Sequence, residues 1–157
     1  MRYSLIFFFL FFFNKSIAYE IKCSFEEVYQ NGDVKNGLVY YKNDRLRYEY
    51  FDETLFTLIH KKDTLYIVHN NDSKKFDTLN DQTLISNLMS IMHDYPNFQN
   101  KYFFADKEIG FEKNYSNNFI KRLIIKSNNL NMSIYFNNCN EEKINNYLFN
   151  VTTFRKN

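Results

Sequence analysis

The fold class predicted is mainly β: a strongly curved antiparallel sheet, an incomplete barrel, with a single helical lid. Three observations predict it. Apolar and polar residues alternate along much of residues 37–69, the pattern of strands wetted on one face. The polar pairs Asn43-Asp44, Asp52-Glu53 and Lys62-Asp63 interrupt that segment at hairpin spacing. Only one stretch, residues 82–93, changes to a helical period.

The elements follow in chain order. Met1-Arg2, the apolar run of residues 5–13 and the small residues Ser16 and Ala18 make a secretory signal peptide, with cleavage expected after Ala18. An uncleaved anchor is the competing reading, but the run is roughly half the length a bilayer requires. Residues 21–30 read as the first strand, ending at Asn31-Gly32, a pair that tolerates the positive φ of a hairpin turn. A second strand spans 34–42, with Gly37 as a candidate bulge. Strands at 45–51, 55–61, 64–70 and 75–79 follow. Asp81 then caps a helix over 82–93, where Leu84, Leu88, Ile91 and Met92 form one apolar stripe. Pro96 stops any continuation. Strands resume at 101–105, 108–114, 118–126 and 132–137, and a last one is expected at 147–154. With no repeat or linker, residues 19–157 read as one domain. A helix inside a strand series must cover its stripe against the sheet.

Composition narrows the function. Removing Arg2 and Lys15 from twenty basic residues leaves eighteen, equal to the eighteen acidic ones. A balanced charge gives no electrostatic footprint for nucleic acid. Aromatic residues make up 20% of the chain. Their abundance together with Asn, Lys and Ile reflects AT-rich codons and does not by itself mark a ligand cage. No G-x-S-x-G, H-E-x-x-H or Gly-rich phosphate loop occurs, so a non-enzymatic role without cofactor is expected. Acidic residues fall on positions read as wet faces. His60, His69 and His93 fall at no recognised metal-ligand spacing. Cys23 and Cys139 are the only cysteines, and an isolated pair in an exported protein reads as a disulfide, here between the first strand and one near the end.

With Asn43-Asp44 as the turn, Tyr41 faces Leu46 and Val39 faces Tyr48, with Tyr50 continuing that face. Lys42, Arg45 and Arg47 then cluster on the other face or at the tip. The apolar face is either the wall of a cavity or an ordinary filled core.

The order of these segments resembles one family. Gly37 opens a strand, a basic turn leads to Leu46-Arg-Tyr-Glu-Tyr50, and an Asp-containing turn leads to Thr64-Leu-Tyr-Ile-Val68. The helix, the hairpin Phe119-Ile-Lys-Arg-Leu-Ile-Ile125 with Met132-Ser-Ile-Tyr-Phe136, and Tyr147-Leu-Phe-Asn-Val151 as a closing strand continue the likeness. The chain is similar to LolA, the periplasmic carrier of outer-membrane lipoproteins. The resemblance implies a cavity for acyl chains walled by Val39, Tyr41, Leu46, Tyr48 and Tyr50. Leu84, Leu88, Ile91 and Met92 would lie on the lid. It implies partner docking or lid contact through Lys42, Arg45 and Arg47. The implied partners are acylated lipoproteins, an inner-membrane ABC-type releasing complex, and an outer-membrane acceptor or membrane surface. Two positions differ from the family pattern: Lys42-Asn43 stands where Arg-Pro is usual, and only Tyr19 and Glu20 precede the first strand, where the family has an amphipathic helix. The alternatives are a sensor that binds lipid or lipoprotein without delivering it, and an extracellular β interaction domain with a filled core.

Overall fold

In a computed structural model, residues 19–72, 74–79, 84–116 and 119–151 are described. The signal-peptide reading and the Asp81 cap lie outside these residues. Ten strands form one antiparallel sheet: β1 (Glu20–Tyr29), β2 (Val34–Lys42), β3 (Arg45–Tyr50), β4 (Phe56–Lys61), β5 (Thr64–His69), β6 (Phe76–Leu79), β7 (Lys101–Phe104), β8 (Lys107–Lys113), β9 (Ile120–Lys126) and β10 (Asn131–Glu141). The spatial order is β6-β5-β4-β3-β2-β1-β10-β9-β8-β7, so the sheet is not closed and β6 and β7 are its edges. The chain steps outward from β1 to one edge, passes through helix α1 (Leu84–Met92), and returns from the other edge until β10 pairs with β1. Among the described residues, no helix is long and apolar enough to cross a membrane.

Turn chemistry fixes the hairpins. Asn43 and Asp44 both have positive φ, at 46° and 57°, as do Lys62 and Asp63, at 49° and 61°. Two successive positive-φ residues make the turn whose twist matches the strands it joins. The register follows: Tyr41 opposes Leu46 and Val39 opposes Tyr48. One face of the sheet therefore carries Phe25, Val39, Tyr48, Leu58, Leu123 and Ile134, which share a single core with Ile85, Leu88 and Ile91 of α1. The apolar stripe of α1 is wider than the sequence indicates, since Ile85 and Met89 are buried beside Leu88 and Ile91.

Cys23 and Cys139 are bonded. They join β1 to β10, adjacent strands at the seam between the six-stranded and four-stranded halves. β10 runs beyond the expected end at 137, to Glu141, and carries a bulge. Lys22 pairs with Asn140 but Ser24 with Asn137, and the extra residue is accommodated where Asn138 takes φ 52°.

Two expectations are corrected. Gly37 is no bulge, because it pairs in unbroken register with Phe25 on one side and Tyr50 on the other. Among the described residues of the last segment no strand forms: residues Asn146–Phe149 are a 3-10 helix, capped by the Asn145 side chain accepting from the Tyr147 N–H. Residues 152–154 of that expected strand lie outside the described residues. The reason is topological. β1 already has β2 and β10 as neighbours, so the segment lies across the outer face, where Ile144 and Phe149 pack with Ile59 and Val68.

Candidate ligand-binding site

Strand parity builds the site. Ile21 and Cys23 of β1, Val39 and Tyr41 of β2, and Leu46 of β3 point to the α1 side because each is an even step from its neighbour on the strand. Leu88 and Met92 of α1, one helical turn apart, meet them. Tyr95, Phe119, Ile120 and Phe136 complete an apolar and aromatic lining. The cavity they line is about 40 Å³. An apolar cavity of roughly 150 Å³ takes up benzene, so the space beside α1 is small by comparison.

Of the nine residues expected to wall a cavity, Val39, Tyr41, Leu46, Leu88 and Met92 line it. Ile91 is fully buried in the core and Leu84 is packed at its margin. Tyr48 and Tyr50 lie on the expected face but farther along, where their hydroxyls turn to a carboxylate. Glu27 is 1% exposed. Its Oε1 accepts from Tyr48 at 2.7 Å and from Tyr50 at 3.0 Å, and its Oε2 accepts from Tyr29 at 2.7 Å. The ring of Tyr48 stacks on Phe25 at 3.9 Å. Glu27 thus departs from the wet-face reading of the acidic residues. The signal was in the parity of β1, where Ile21, Cys23, Phe25 and Glu27 are spaced by two.

These tyrosines set an alkaline limit on stability. Burial first, then the charge of Glu27, pushes the Tyr48 and Tyr50 phenols well above their ordinary value, and burial drives up Tyr29 likewise. Burial also raises Tyr41, Tyr95 and Tyr102 to about 12. An acid whose folded pKa is raised contributes stability in full below its unfolded value of about 10 and loses it as pH climbs through the folded value. The expected result is cooperative unfolding between about pH 10 and 12, with phenolate absorbance and loss of far-ultraviolet CD rising together. Complete phenolate titration of a still-folded protein would contradict it.

The three basic residues take a different role from the one the resemblance implies. Lys42 is buried on the outer face, ion-paired to Glu20 at 2.9 Å, and donates to the Ile144 carbonyl. The Ile144 N–H, followed by Lys42, holds the Glu20 carboxyl below the usual range. Arg47 is also buried. It donates to Glu49 Oε2 at 2.8 Å and to the Leu148 carbonyl at 2.9 Å. Arg45 donates to Asn146 Oδ1 at 3.1 Å and lies 4.9 Å from the centre of the Phe149 ring. All three clamp this chain's own C-terminal segment, on the face opposite α1. Contact between the helix end and the β2–β3 turn is made by His93 Nδ1, 3.5 Å from Asp44 Oδ1, while Asp44 also accepts from the Tyr41 hydroxyl. That pair is exposed and stabilises little.

An acidic residue at Leu88 reads from sequence as a selective lesion of a cavity wall. Leu88 is 3% exposed, so an Asp there would bury an unpaired charge and threaten the fold. Among the described residues, no group of three or more His, Cys, Asp or Glu is placed to hold a metal ion. The chain matches no family model and no curated protein.

Proposed function

We propose that this protein is a LolA-like periplasmic carrier that shelters the acyl chains of lipoproteins between the sheet and α1 and moves them from the inner to the outer membrane. The observation that carries the reading is the apolar cavity under Leu88 and Met92, walled by Ile21, Val39, Tyr41 and Leu46. Burying each methylene there gains about 0.8 kcal/mol. A signal peptide and a disulfide both belong to an exported protein.

A curled sheet with α1 as its lid fits the topology. One helix sharing a core with nine of the ten strands supports curling. Entry of an acyl chain then requires α1 to lift. Lifting uncovers Ile85, Leu88, Met89 and Ile91, which the acyl chain must cover in exchange, while the exposed His93–Asp44 pair adds little resistance.

A second reading, binding without delivery, is favoured by Lys42. The residue matching the family's lid-contacting Arg is committed to Glu20 and Ile144 on the opposite face.

The test is native mass spectrometry of the oxidised protein after incubation with detergent-solubilised lipoprotein. An acylated mass should be retained. Leu88→Phe, which fills the small cavity with an apolar ring, should weaken acyl binding at least tenfold while leaving the melting temperature within a few degrees. Equal binding by Leu88→Phe would remove the cavity assignment. Delivery to outer-membrane vesicles separates a carrier from a sensor.

A further inference from the structure

We infer that the Glu27 cluster is a polar stop that fixes how long an acyl chain the cavity takes; this rests on the acyl-binding reading above. On β1 the residues facing α1 run Ile21, Cys23, Phe25, Glu27. Ile21 and Cys23 line the cavity, so the line from cavity to carboxylate lies along one strand. At about 3.4 Å per residue, Glu27 is about 20 Å from Ile21 and about 14 Å from Cys23.

Two layers close that end. Phe25 forms the first, stacked on Tyr48 and edge-on to Tyr50 at 5.5 Å. Its ring lies over Gly37, where no side chain intervenes. Behind it stands the buried Glu27 carboxylate with the hydroxyls of Tyr29, Tyr48 and Tyr50. Lys35 backs the cluster, its Nζ 5.1 Å from the centre of the Tyr29 ring.

An acyl chain sliding under α1 gains roughly four-fold in affinity per buried methylene. Once the Phe25 ring is turned aside, that gain ends where the next methylene must displace a hydroxyl from the carboxylate, because a methylene can replace none of those hydrogen bonds. The ligand class is a straight saturated chain up to a set length, with its methyl end toward Glu27.

The experiment is a binding series of lysophosphatidylcholines from octanoyl to stearoyl against the oxidised protein. Affinity should climb about four-fold per methylene and then break to a plateau or fall. In Glu27→Leu/Tyr29→Phe/Tyr48→Phe/Tyr50→Phe, which replaces the polar cluster with apolar groups of similar size, the climb should continue past that break. The wild-type protein gives a second reading that depends on no variant's folding. A terminal hydroxyl on the chain should be tolerated at the break length, where it meets Glu27 or a phenol, and should cost at least tenfold on shorter chains. An unchanged break in the variant, or a hydroxyl penalty equal at all lengths, overturns the stop while leaving acyl binding intact. No binding at any length overturns both.

Discussion

Loss of the Cys23–Cys139 bond is expected to destabilise the protein by about 4–5 kcal/mol on the chain-entropy argument. The size follows from position. The bond spans 116 residues of sequence, and the entropy of a denatured chain falls with the length of loop that a cross-link closes. It also sits where the sheet is assembled from its two halves, since β10 pairs with β1 only after all other strands have been laid down in sequence. Urea unfolding with and without reductant measures the effect, and the Cys23→Ala/Cys139→Ala pair repeats it without thiol chemistry. The midpoint should drop by the lost stability divided by the slope, with the slope rising as the denatured chain expands. An unchanged midpoint would mean that the denatured chain already holds β1 near β10. The reduced protein should keep its strand content while folded, because the β1–β10 ladder is continuous on both sides of the bulge.

Gly37→Ala is the second large effect. A Cβ built at this position would lie 2.0 Å from the Glu49 carbonyl oxygen and 2.5 Å from the Phe25 ring. The ring alone could rotate aside. The carbonyl belongs to the backbone of the neighbouring strand β3, whose register is fixed by the Asn43-Asp44 turn and by Tyr48 and Tyr50 in the core. One methyl group must therefore push two paired strands apart or expel Phe25. A cost above roughly 3 kcal/mol is expected, beyond the ordinary range for overpacking. For a domain of this size that is roughly a 10 °C fall in melting temperature. Phe25→Leu added to Gly37→Ala separates the two contacts. If the backbone clash dominates, the double variant stays at least as unstable as the single one; recovery would assign the strain to the ring instead. The position reads from sequence as a bulge because Gly in a strand signals either a bulge or a close approach, and periodicity cannot choose between them.

Much of the fold was legible because its signals are local. Tyr41, Leu46, Val39 and Tyr48 could be placed on one face, and Lys42, Arg45 and Arg47 on the other face or at the tip, from one turn and the two-residue period. The structure reproduces that pairing residue for residue. Helix α1 stood out because Leu84, Leu88, Ile91 and Met92 break that period, and the pairing of the two cysteines was legible from their number. The last segment failed the same reasoning. Tyr147-Leu-Phe-Asn-Val151 has strand-like composition, yet the sheet had no free neighbour at β1 to offer it.

The candidate site was legible only in part. Val39, Tyr41, Leu46, Leu88 and Met92 were found because they share local patterns, whereas Tyr95, Phe119, Ile120 and Phe136 reach the cavity from distant elements. The sequence by itself determined the ten strands of the sheet but not the fate of the last segment, and it determined the helix, the disulfide pair and the facing residues of β2 and β3. Tertiary structure alone decided that Glu27 is buried among three tyrosines, that three basic side chains clamp the C-terminal segment, and that Gly37 answers a clash rather than a bend. The physical reason is the range of the interactions. Backbone twist and side-chain alternation act over two to four residues, so a short window contains them. A carboxylate's hydrogen-bond partners, a methyl group's clash and an arginine's carbonyl acceptor lie up to about a hundred residues away, and only the packed sheet brings them together.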